Sequence, residues 1–243
     1  MSKIYADTIE TENSNVDITL GASGDAVLIP TGATLKTNKI ADAGGNNIIT
    51  SDGSGSLTVD SQLKGNEVLL ATNTFTDTAI SNFTTKITSA YNVYIFRWNA
   101  INPATDAVKF TFQGSTDGGS NYNTSMTTTY FAAYNYENDT GAALGYDGGQ
   151  DQGNGTAYQP LCNDIGNDAD QNEAGELFIF NPASTVYVKH FTSIGNQCGA
   201  GDYTQNQYAG GYFNTASAIN AISFTMSSGN MDGTIRMYGM STT

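Results

Sequence analysis

The first sixty residues constrain the fold more than any other part of the chain. They contain short runs of β-forming residues separated by turns of glycine, asparagine and serine. Each run offers only one or two large apolar side chains, and no aromatic residue follows Tyr5 within this segment. So little apolar surface cannot close a hydrophobic core, so the segment is predicted to pack on a partner, most simply on further copies of itself. The predicted strands are 17–20, 26–29, 33–35, 47–49 and 56–59.

Apolar residues in this segment recur at nine-residue intervals, first at Ile9, Ile18 and Val27 and later at Ile48 and Leu57. The interval is looser than a strict repeat motif. Two interpretations stay open: ordinary hairpins with loops of similar length, or strands that stack or intertwine between three copies. Under the second interpretation, the contacts to other copies and to an anchoring partner are made by Ile4, Tyr5, Ile9, Ile18, Val27, Leu35, Ile48 and Leu57.

The composition excludes several classes of partner. Charged residues make up only 13% of the 243 residues, and 9 basic against 23 acidic side chains give a net charge of −14. Nucleic-acid binding is not expected, because phosphate contacts need clustered basic side chains. No apolar run approaches the roughly 20 residues that span a bilayer, so membrane insertion is not expected. Residues 1–7 lack the apolar region of a signal peptide, which predicts synthesis in a cytoplasm without export by the general secretory route.

The character of the sequence changes after residues 61–66, which are predicted to be a linker. Trp98, all 11 phenylalanines and 13 of the 14 tyrosines lie beyond residue 66. Alternating apolar and polar residues predict strands with one buried face. The prediction is an all-β protein, in which an extended trimerising and anchoring segment (1–60) precedes a jelly-roll-like β-sandwich (67–243). The predicted strands of the sandwich are 67–71, 84–88, 94–98, 108–112, 126–134, 177–180, 186–191, 219–226 and 234–238.

One long connection interrupts the predicted sandwich. Residues 135–175 are rich in glycine, and nine acidic residues lie between Glu137 and Glu176 with no lysine or arginine among them. A structureless insertion of this length in a compact domain is usually functional or buried at an interface. Two cysteines, Cys162 and Cys198, are consistent either with a single disulfide or with two free thiols, and their spacing excludes a CxxC motif.

The sequence offers little that resembles a catalytic site. His190 is the only histidine, no GxSxG elbow is present, and a structural role is therefore predicted for it. Nothing in the acidic connection sets two carboxylates at the separation that glycoside hydrolysis requires. The prediction is a protein that is not an enzyme and has no cofactor.

Two kinds of binding site remain as hypotheses. Asp168 and Asp170 alternate with Asn172 as calcium ligands do, but the glycine and distal glutamate of an EF-hand loop are missing, so a solvated loop is the default. Tyrosines in or beside glycine- and asparagine-rich loops could stack on sugar rings, or could equally pack between subunits. The candidate glycan contacts are Tyr134, Tyr136, Tyr146, Tyr158, Tyr203 and Tyr208.

Several segments resemble fibre and appendage proteins of tailed phages, especially marine ones. In the N-terminal part these are residues 29–35 (IPTGATL), 40–48 (IADAGGNNI) and 51–55 (SDGSG). In the C-terminal part the segments that resemble the distal domain of such proteins are 91–94 (YNVY), 112–122 (FQGSTDGGSNY), 226–230 (MSSGN) and 233–239 (GTIRMYG).

The resemblance implies a homotrimeric virion protein, whose N-terminal segment attaches to another virion protein (the major capsid protein or a tail protein) and whose sandwich head faces outward. It implies a location on the virion surface. Large N-terminal adaptor domains, typical of long tail fibres, are missing, which favours a short fibre, a spike or a capsid decoration. Contact with host-surface polysaccharide is one expectation; the alternatives are a purely capsid-stabilising decoration protein and a tail fibre that binds a receptor.

Overall fold

The computed structural model describes residues 66–240 and parts of the preceding segment, namely residues 37, 39–42, 44, 46–51, 53–54 and 57–59. The chain divides into two compact units, Met1–Asp60 and Ser61–Thr243. Within the described residues the regular structure consists of β-strands and contains no helix, so none is long and apolar enough to cross a membrane. The all-β class predicted from the sequence is therefore confirmed.

In the described part of the first unit, three short strands form one antiparallel sheet. They are β1 (Lys39–Ala41), β2 (Asn47–Ser51) and β3 (Leu57–Val59), in the order β1-β2-β3. The Asp42 carboxylate accepts hydrogen bonds from the backbone N–H of Gly44 (2.9 Å) and Asn46 (2.8 Å), which closes the β1–β2 turn. Strands β2 and β3 correspond to the predicted runs 47–49 and 56–59, whereas β1 was not predicted. The predicted strands 17–20, 26–29 and 33–35 lie outside the described residues.

Residues 66–240, the described part of the second unit, contain twelve strands in two antiparallel sheets. The larger sheet has eight strands in the order β4-β15-β6-β11-β12-β13-β8-β9, and the smaller has four in the order β10-β7-β14-β5. The strands are β4 (Glu67–Thr78), β5 (Ile80–Phe83), β6 (Val93–Pro103), β7 (Phe110–Ser115), β8 (Met126–Tyr136), β9 (Ala142–Tyr146), β10 (Gln159–Pro160), β11 (Glu173–Phe180), β12 (Lys189–Gly199), β13 (Tyr203–Phe213), β14 (Ala221–Met226) and β15 (Met231–Met240).

Aromatic side chains from the two sheets pack together in one core. The ring of Phe224, on β14, lies within 6.4 Å of five other rings, those of Phe83, Phe96, Trp98, Phe110 and Phe112. Because Phe96 and Trp98 belong to the large sheet and the others to the small one, these contacts define a β-sandwich. Jelly-roll connectivity and trimerisation stay predictions.

Apart from the edge strand β9, whose five residues are all exposed, the strands of the large sheet have one more buried and one more exposed face. Strand β12 shows this most clearly, because buried and more exposed residues alternate along its whole length. Its inner residues, such as Phe191, belong to the core, while its outer residues include Thr192 and Ile194. The small sheet differs: all six residues of β7 are buried, so both faces of this inner strand are covered, and exposed residues are found on its edge strand β5. The exposed sheet face of the sandwich is therefore the outer face of the large sheet.

The long acidic connection is more ordered than the sequence predicted. It contains β9 and β10 and continues into a buried stretch in which Leu161, Cys162 and Ile165 are no more than 1% exposed. Backbone bonds from Leu161 to Phe110 and between Ile165 and Val108 attach this stretch to β7. The expectation of a structureless insertion was wrong, because apolar residues inside the acidic sequence supply part of the core.

Two further strand predictions differ from the structure. Residues 84–88 form a loop rather than a strand, since the buried Tyr94 hydroxyl bonds to the backbone of Lys86 and Thr88 at 2.8–3.0 Å. Strand β13 was not predicted, yet it pairs along its full length with β12 and β8. Its sequence is rich in Gln, Asn and Gly, which disfavour strands locally, so pairing on both sides determines its conformation.

The motif 112–122, which carries much of the resemblance in the C-terminal part, forms a self-contained turn. Gly118 and Gly119 have positive φ angles of 74° and 90°, which side chains other than glycine rarely adopt. The Asp117 carboxylate accepts hydrogen bonds from the Ser115 hydroxyl (2.7 Å) and from the Asn121 amide (2.7 Å). These bonds lower the pKa of Asp117 to about 2. The Asp117 carboxylate therefore holds the turn that follows β7 together.

Adjacent glycines in β13 should respond differently to substitution. A Cβ atom on Gly211 would lie 2.8 Å from the Thr128 Cα and closer still to the Thr127 carbonyl oxygen, both backbone atoms of β8. A Cβ atom on Gly210 would have nothing within 3.8 Å. We expect Gly211→Ala to lower the free energy of unfolding by about 1–3 kcal/mol, as overpacking does. Gly210→Ala is the control and should change it little; equal effects in urea unfolding would contradict this pairing of β8 with β13.

Candidate functional site

The six predicted tyrosines separate into three groups in the structure. Tyr134, Tyr136 and Tyr203 cluster where β8 ends and β13 begins, Tyr146 and Tyr208 lie on the outer face of the large sheet, and Tyr158 lies in a connection beside the small sheet. Tyr158 lies in a connection, and Tyr136, Tyr146 and Tyr203 are the terminal residues of strands and so lie beside loops as predicted, whereas Tyr134 and Tyr208 lie within strands. No single surface collects all of them.

A polar pocket of about 420 Å³ lies beside the small sheet and is called here the Gln150 pocket. Its volume falls within the range of small-molecule sites. It offers an ammonium group, a carboxylate, amides, hydroxyls and one aromatic ring, which suit a hydroxyl-rich ligand. Its lining residues are Lys109, Thr111, Gly149, Gln150, Asp151, Gln152, Ala157, Tyr158, Pro160, Thr225, Met226 and Ser227.

Gln150 is the most distinctive residue of this pocket. It is 9% exposed, and its side-chain carbonyl oxygen is buried without a hydrogen-bond partner among the described residues. Its backbone carbonyl accepts from the Gln159 amide at 2.9 Å, which holds the residue in place. Next to it, the Asp151 carboxylate accepts a hydrogen bond from the Tyr146 hydroxyl, and across the pocket the Tyr158 and Ser223 hydroxyls lie 3.1 Å apart. An unpaired buried acceptor costs about 1–3 kcal/mol, so a ligand that donates to it gains binding energy.

A second pocket of about 420 Å³ contains two of the clustered tyrosines and is called the Tyr136 pocket. The Tyr136 and Tyr203 rings are 5.3 Å apart at 54°, and Tyr134 meets Tyr136 edge-on at 5.7 Å. The Tyr203 hydroxyl donates to Asp164 at 2.6 Å; burial and this bond raise the pKa of Tyr203. The lining residues are Asn135, Tyr136, Glu137, Asp139, Asn196, Gln197, Cys198, Tyr203 and Thr204.

Both cysteines are free thiols. Cys162 is fully buried, and desolvation raises its pKa well above the ordinary value. Desolvation also raises the pKa of Cys198 in the Tyr136 pocket, with help from Glu137 and other nearby carboxylates. Because a thiolate is the reactive form, neither thiol is activated as a nucleophile.

The remaining sequence candidates are placed as follows. Asp168 and Asp170 are exposed, and the described residues contain no group of three acidic, histidine or cysteine side chains that could hold a metal ion. His190 lies exposed on the outer face of the large sheet, with its ring 5.8 Å from that of Tyr212. Ile48 is partly buried in β2 and Leu57 begins β3, whereas Ile4, Tyr5, Ile9, Ile18, Val27 and Leu35 lie outside the described residues.

The outer face of the large sheet carries an apolar surface, called here the aromatic face. The strand register aligns Tyr146, Phe131, Tyr208 and Ile194 in one row across four strands. The Phe131 and Tyr208 rings are stacked at 4.7 Å with an interplanar angle of 6°. A groove of about 260 Å³ between the row and Phe178 belongs to the same surface. The aromatic face is defined by Phe131, Leu144, Tyr146, Phe178, Phe180, Ile194 and Tyr208.

The same row continues into charged residues whose charges are balanced. Beyond Ile194 the register reaches Glu176, Arg97 and Arg236. Arg97 contacts Glu67 at 2.5 Å and Glu176 at 3.1 Å, and its hydrogen bond to Glu67 lowers the pKa of that carboxyl. Arg236 donates to the Asn99 side chain at 3.0 Å.

One ionisable side chain lies inside the sandwich. Glu173 is 0% exposed, and no hydrogen bond of ordinary geometry reaches either carboxylate oxygen from the described residues. Burial raises the pKa of Glu173 to about 8, and the Trp98 indole opposes this only in part. Burial, together with Cys162 and Glu173, raises the pKa of Tyr130, whose buried hydroxyl is also unpartnered among the described residues. Glu173 is therefore largely protonated at neutral pH.

Sequence reasoning missed Gln150, Glu173 and the aromatic face. Glu173 was counted as part of an acidic connection, although it begins a strand that alternates inward from this position. Phe131 follows Tyr130 in a predicted strand, and only the register shows which of the two points outward. No local signal distinguishes Gln150 from the other glutamines of the chain.

The fold and these surfaces define an all-β sandwich protein with polar pockets and one apolar sheet face. Comparison with protein-family models, with curated proteins and with solved structures finds no match to this chain.

Proposed function

We propose that this chain is a structural protein of a tailed-phage virion, a homotrimeric short fibre or decoration whose head contacts host-surface saccharides. Its first sixty residues, with their short strands and few large apolar groups, are the part proposed to join copies to one another and to a major capsid or tail protein. The sandwich head is proposed to project from the particle. The resemblance of segments in both parts to phage appendage proteins supports this assignment.

The Gln150 pocket is the observation that carries the saccharide part of the proposal. A sugar ring presents several hydroxyl donors and one apolar face. The pocket offers an unpaired buried carbonyl at Gln150, a carboxylate at Asp151 and the ring of Tyr158. Because the Gln150 carbonyl oxygen is buried, a ligand hydroxyl reaches it once this side chain turns toward the pocket, and it then satisfies an acceptor that is otherwise unpaired. Tyrosine suits such a site because its ring and its hydroxyl both bind.

Removing the pocket carboxylate should weaken saccharide binding. We expect Asp151→Ala to reduce affinity by about 10- to 100-fold, since a hydrogen bond to a charged group contributes roughly 1.5–3 kcal/mol. The measurement is binding of the purified full-length protein to an array of bacterial surface polysaccharides, followed by titration of the best ligand. Asp170→Ala changes the same side chain on an exposed connection outside both pockets and should retain wild-type affinity. Equal losses in both variants would contradict the pocket assignment.

The capsid-stabilising alternative makes different predictions. A decoration without a receptor would bind no saccharide on the array, and an excess of purified protein would not reduce attachment of the phage to its host. Immunogold labelling of particles tests the virion assignment separately, because a label on the head, the tail or neither distinguishes decoration, fibre and non-virion protein. A particle without label would overturn the proposed function as a whole.

A further inference from the structure

We propose that the aromatic face of the large sheet is an interface between two copies of this chain. A face that packs on its own copy joins molecules two by two, so this contact is made between heads of different trimers, whereas the contacts proposed above at residues 1–60 join the three chains of one trimer. It depends on neither the saccharide pocket nor the location of the protein in a particle.

The chemistry of the face is unusual for an exposed sheet. Antiparallel sheets with one solvated side normally carry polar residues there. Here Phe131 is 41% exposed, Ile194 46%, Tyr146 60% and Leu144 72%. They are neighbours in the register rather than scattered apolar residues, and contiguous exposed apolar surface of this kind marks an interaction site.

The geometry of the rings favours a protein surface over a sugar as the occupant. Stacking on a sugar requires an open ring face. Phe131 and Tyr208 lie parallel at 4.7 Å and so cover one face of each other. The register places Tyr146 on the other side of Phe131 and Ile194 on the other side of Tyr208. The rings therefore present a closely packed row of edges, which matches another packed apolar surface.

Charge identifies a second copy as the partner. Residues 66–240 contain fifteen acidic and five basic side chains, so two heads repel each other over most of their surfaces. The outer face of the large sheet is an exception. Along its strands from β9 to β11, the aromatic face has one outward carboxylate, Glu176, and this group is paired with Arg97. Two like-charged copies can approach with little electrostatic cost where each surface is neutral.

The extent of the face is sufficient for a stable contact. Four strands from β8 to β11 across the sheet with about eight residues each, and the five residues of β9 beside them, give a surface of roughly 600 Å² at a strand spacing of about 4.8 Å. Two such surfaces together bury about 1,200 Å², at the lower end of the range of specific interfaces. Identical twisted sheets also pack face to face at a small angle, as the sheets of a sandwich do.

Hydroxyl-radical footprinting of the full-length protein tests the interface directly. We expect Phe131, Ile194 and Tyr208 to be oxidised several-fold more slowly in the assembled protein than the exposed fractions of these side chains in a single head predict. Val186 and Tyr187, which are 69% and 70% exposed and lie outside the face, are internal references that should react freely. Unprotected Phe131 and Tyr208 in the assembled protein would overturn the proposal, even if sedimentation shows an oligomer.

A charge variant provides the second arm of the test. Ile194→Arg places a cation in the centre of the face, and we expect it to restore oxidation of Phe131 and Tyr208. Val186→Arg makes a comparable change outside the face and should leave both protected. Circular dichroism and the melting temperature establish that each variant is folded; the wild-type footprint keeps the test decisive if Ile194→Arg does not fold. Protection that appears only after addition of other virion proteins would show a different partner and overturn the proposal.

Discussion

Glu173→Gln should stabilise the protein strongly at alkaline pH. The wild-type carboxyl has a pKa of about 8 in the folded state against an ordinary 4.5, because burial disfavours its charged form. The stability this group allows is fully present below about pH 4.5 and is lost as the pH rises through about 8. The pKa difference corresponds to roughly 5 kcal/mol at most. Glutamine cannot lose a proton, so the variant does not lose this stability at high pH. Its buried, unpaired amide costs about 1–3 kcal/mol at every pH, and this cost is subtracted from the stabilisation.

The measurement is urea unfolding of wild type and variant between pH 4.5 and pH 9. We expect the free energy of unfolding of the variant to rise relative to that of the wild type as the pH increases. Near pH 4.5 the variant should be no more stable than the wild type. Glu176→Gln is the matched control on the same strand, because this side chain points outward and pairs with Arg97. Its effect should be within about 1 kcal/mol and should not favour the variant at high pH. A difference between wild type and Glu173→Gln that is independent of pH would show that Glu173 is not buried.

Phe224→Ala should cost about 3–5 kcal/mol of unfolding free energy, the range for deleting a buried phenylalanine. Phe224 is 0% exposed and its ring contacts rings of both sheets, so the cavity would open between the two layers. Urea unfolding at neutral pH measures the loss, and far-UV circular dichroism shows whether the variant still folds. If Phe224→Ala does not fold, Phe224→Leu removes less volume and should show a smaller loss in the same direction.

Phe178→Ala is the informative comparison. Phe178 lies on β11 and faces outward, partly exposed, on the aromatic face. Its removal should cost about 1 kcal/mol of stability within a single head. A loss as large as that of Phe224→Ala would mean that the inner and outer faces of the sheet have been assigned incorrectly.

The strands differ in how far local sequence predicts them. Alternation in residues 94–98 and 234–238 predicted β6 and β15, and both are present with aromatic or apolar residues inward. Strand β13 has no such signal, because Gln, Asn and Gly dominate its sequence. It is a strand because its backbone pairs along its whole length with β8 and β12. The loop at 84–88 shows the reverse case, since local β propensity there is overridden by the hydroxyl of Tyr94.

The candidate sites depended even more on the fold. Residue type alone suggested the six tyrosines, but the register separates them: Tyr208 joins Phe131 on the aromatic face, while Tyr203 turns inward and is 8% exposed. The residues that distinguish the Gln150 pocket, Gln150 and Asp151, come from a connection whose path is set by contacts with β7 and β8.

The sequence by itself determined that this protein is all-β, that charge is scarce and acidic, and that aromatic residues are concentrated after residue 66. These properties are local or additive, so period-two alternation and composition are enough to establish them. Only the tertiary structure decided which strands are neighbours, that Glu173 is buried and that Phe131, Tyr208 and Ile194 form one surface. Strand pairing joins residues far apart in the chain, and a shift of one residue in register exchanges the buried and exposed faces of a strand.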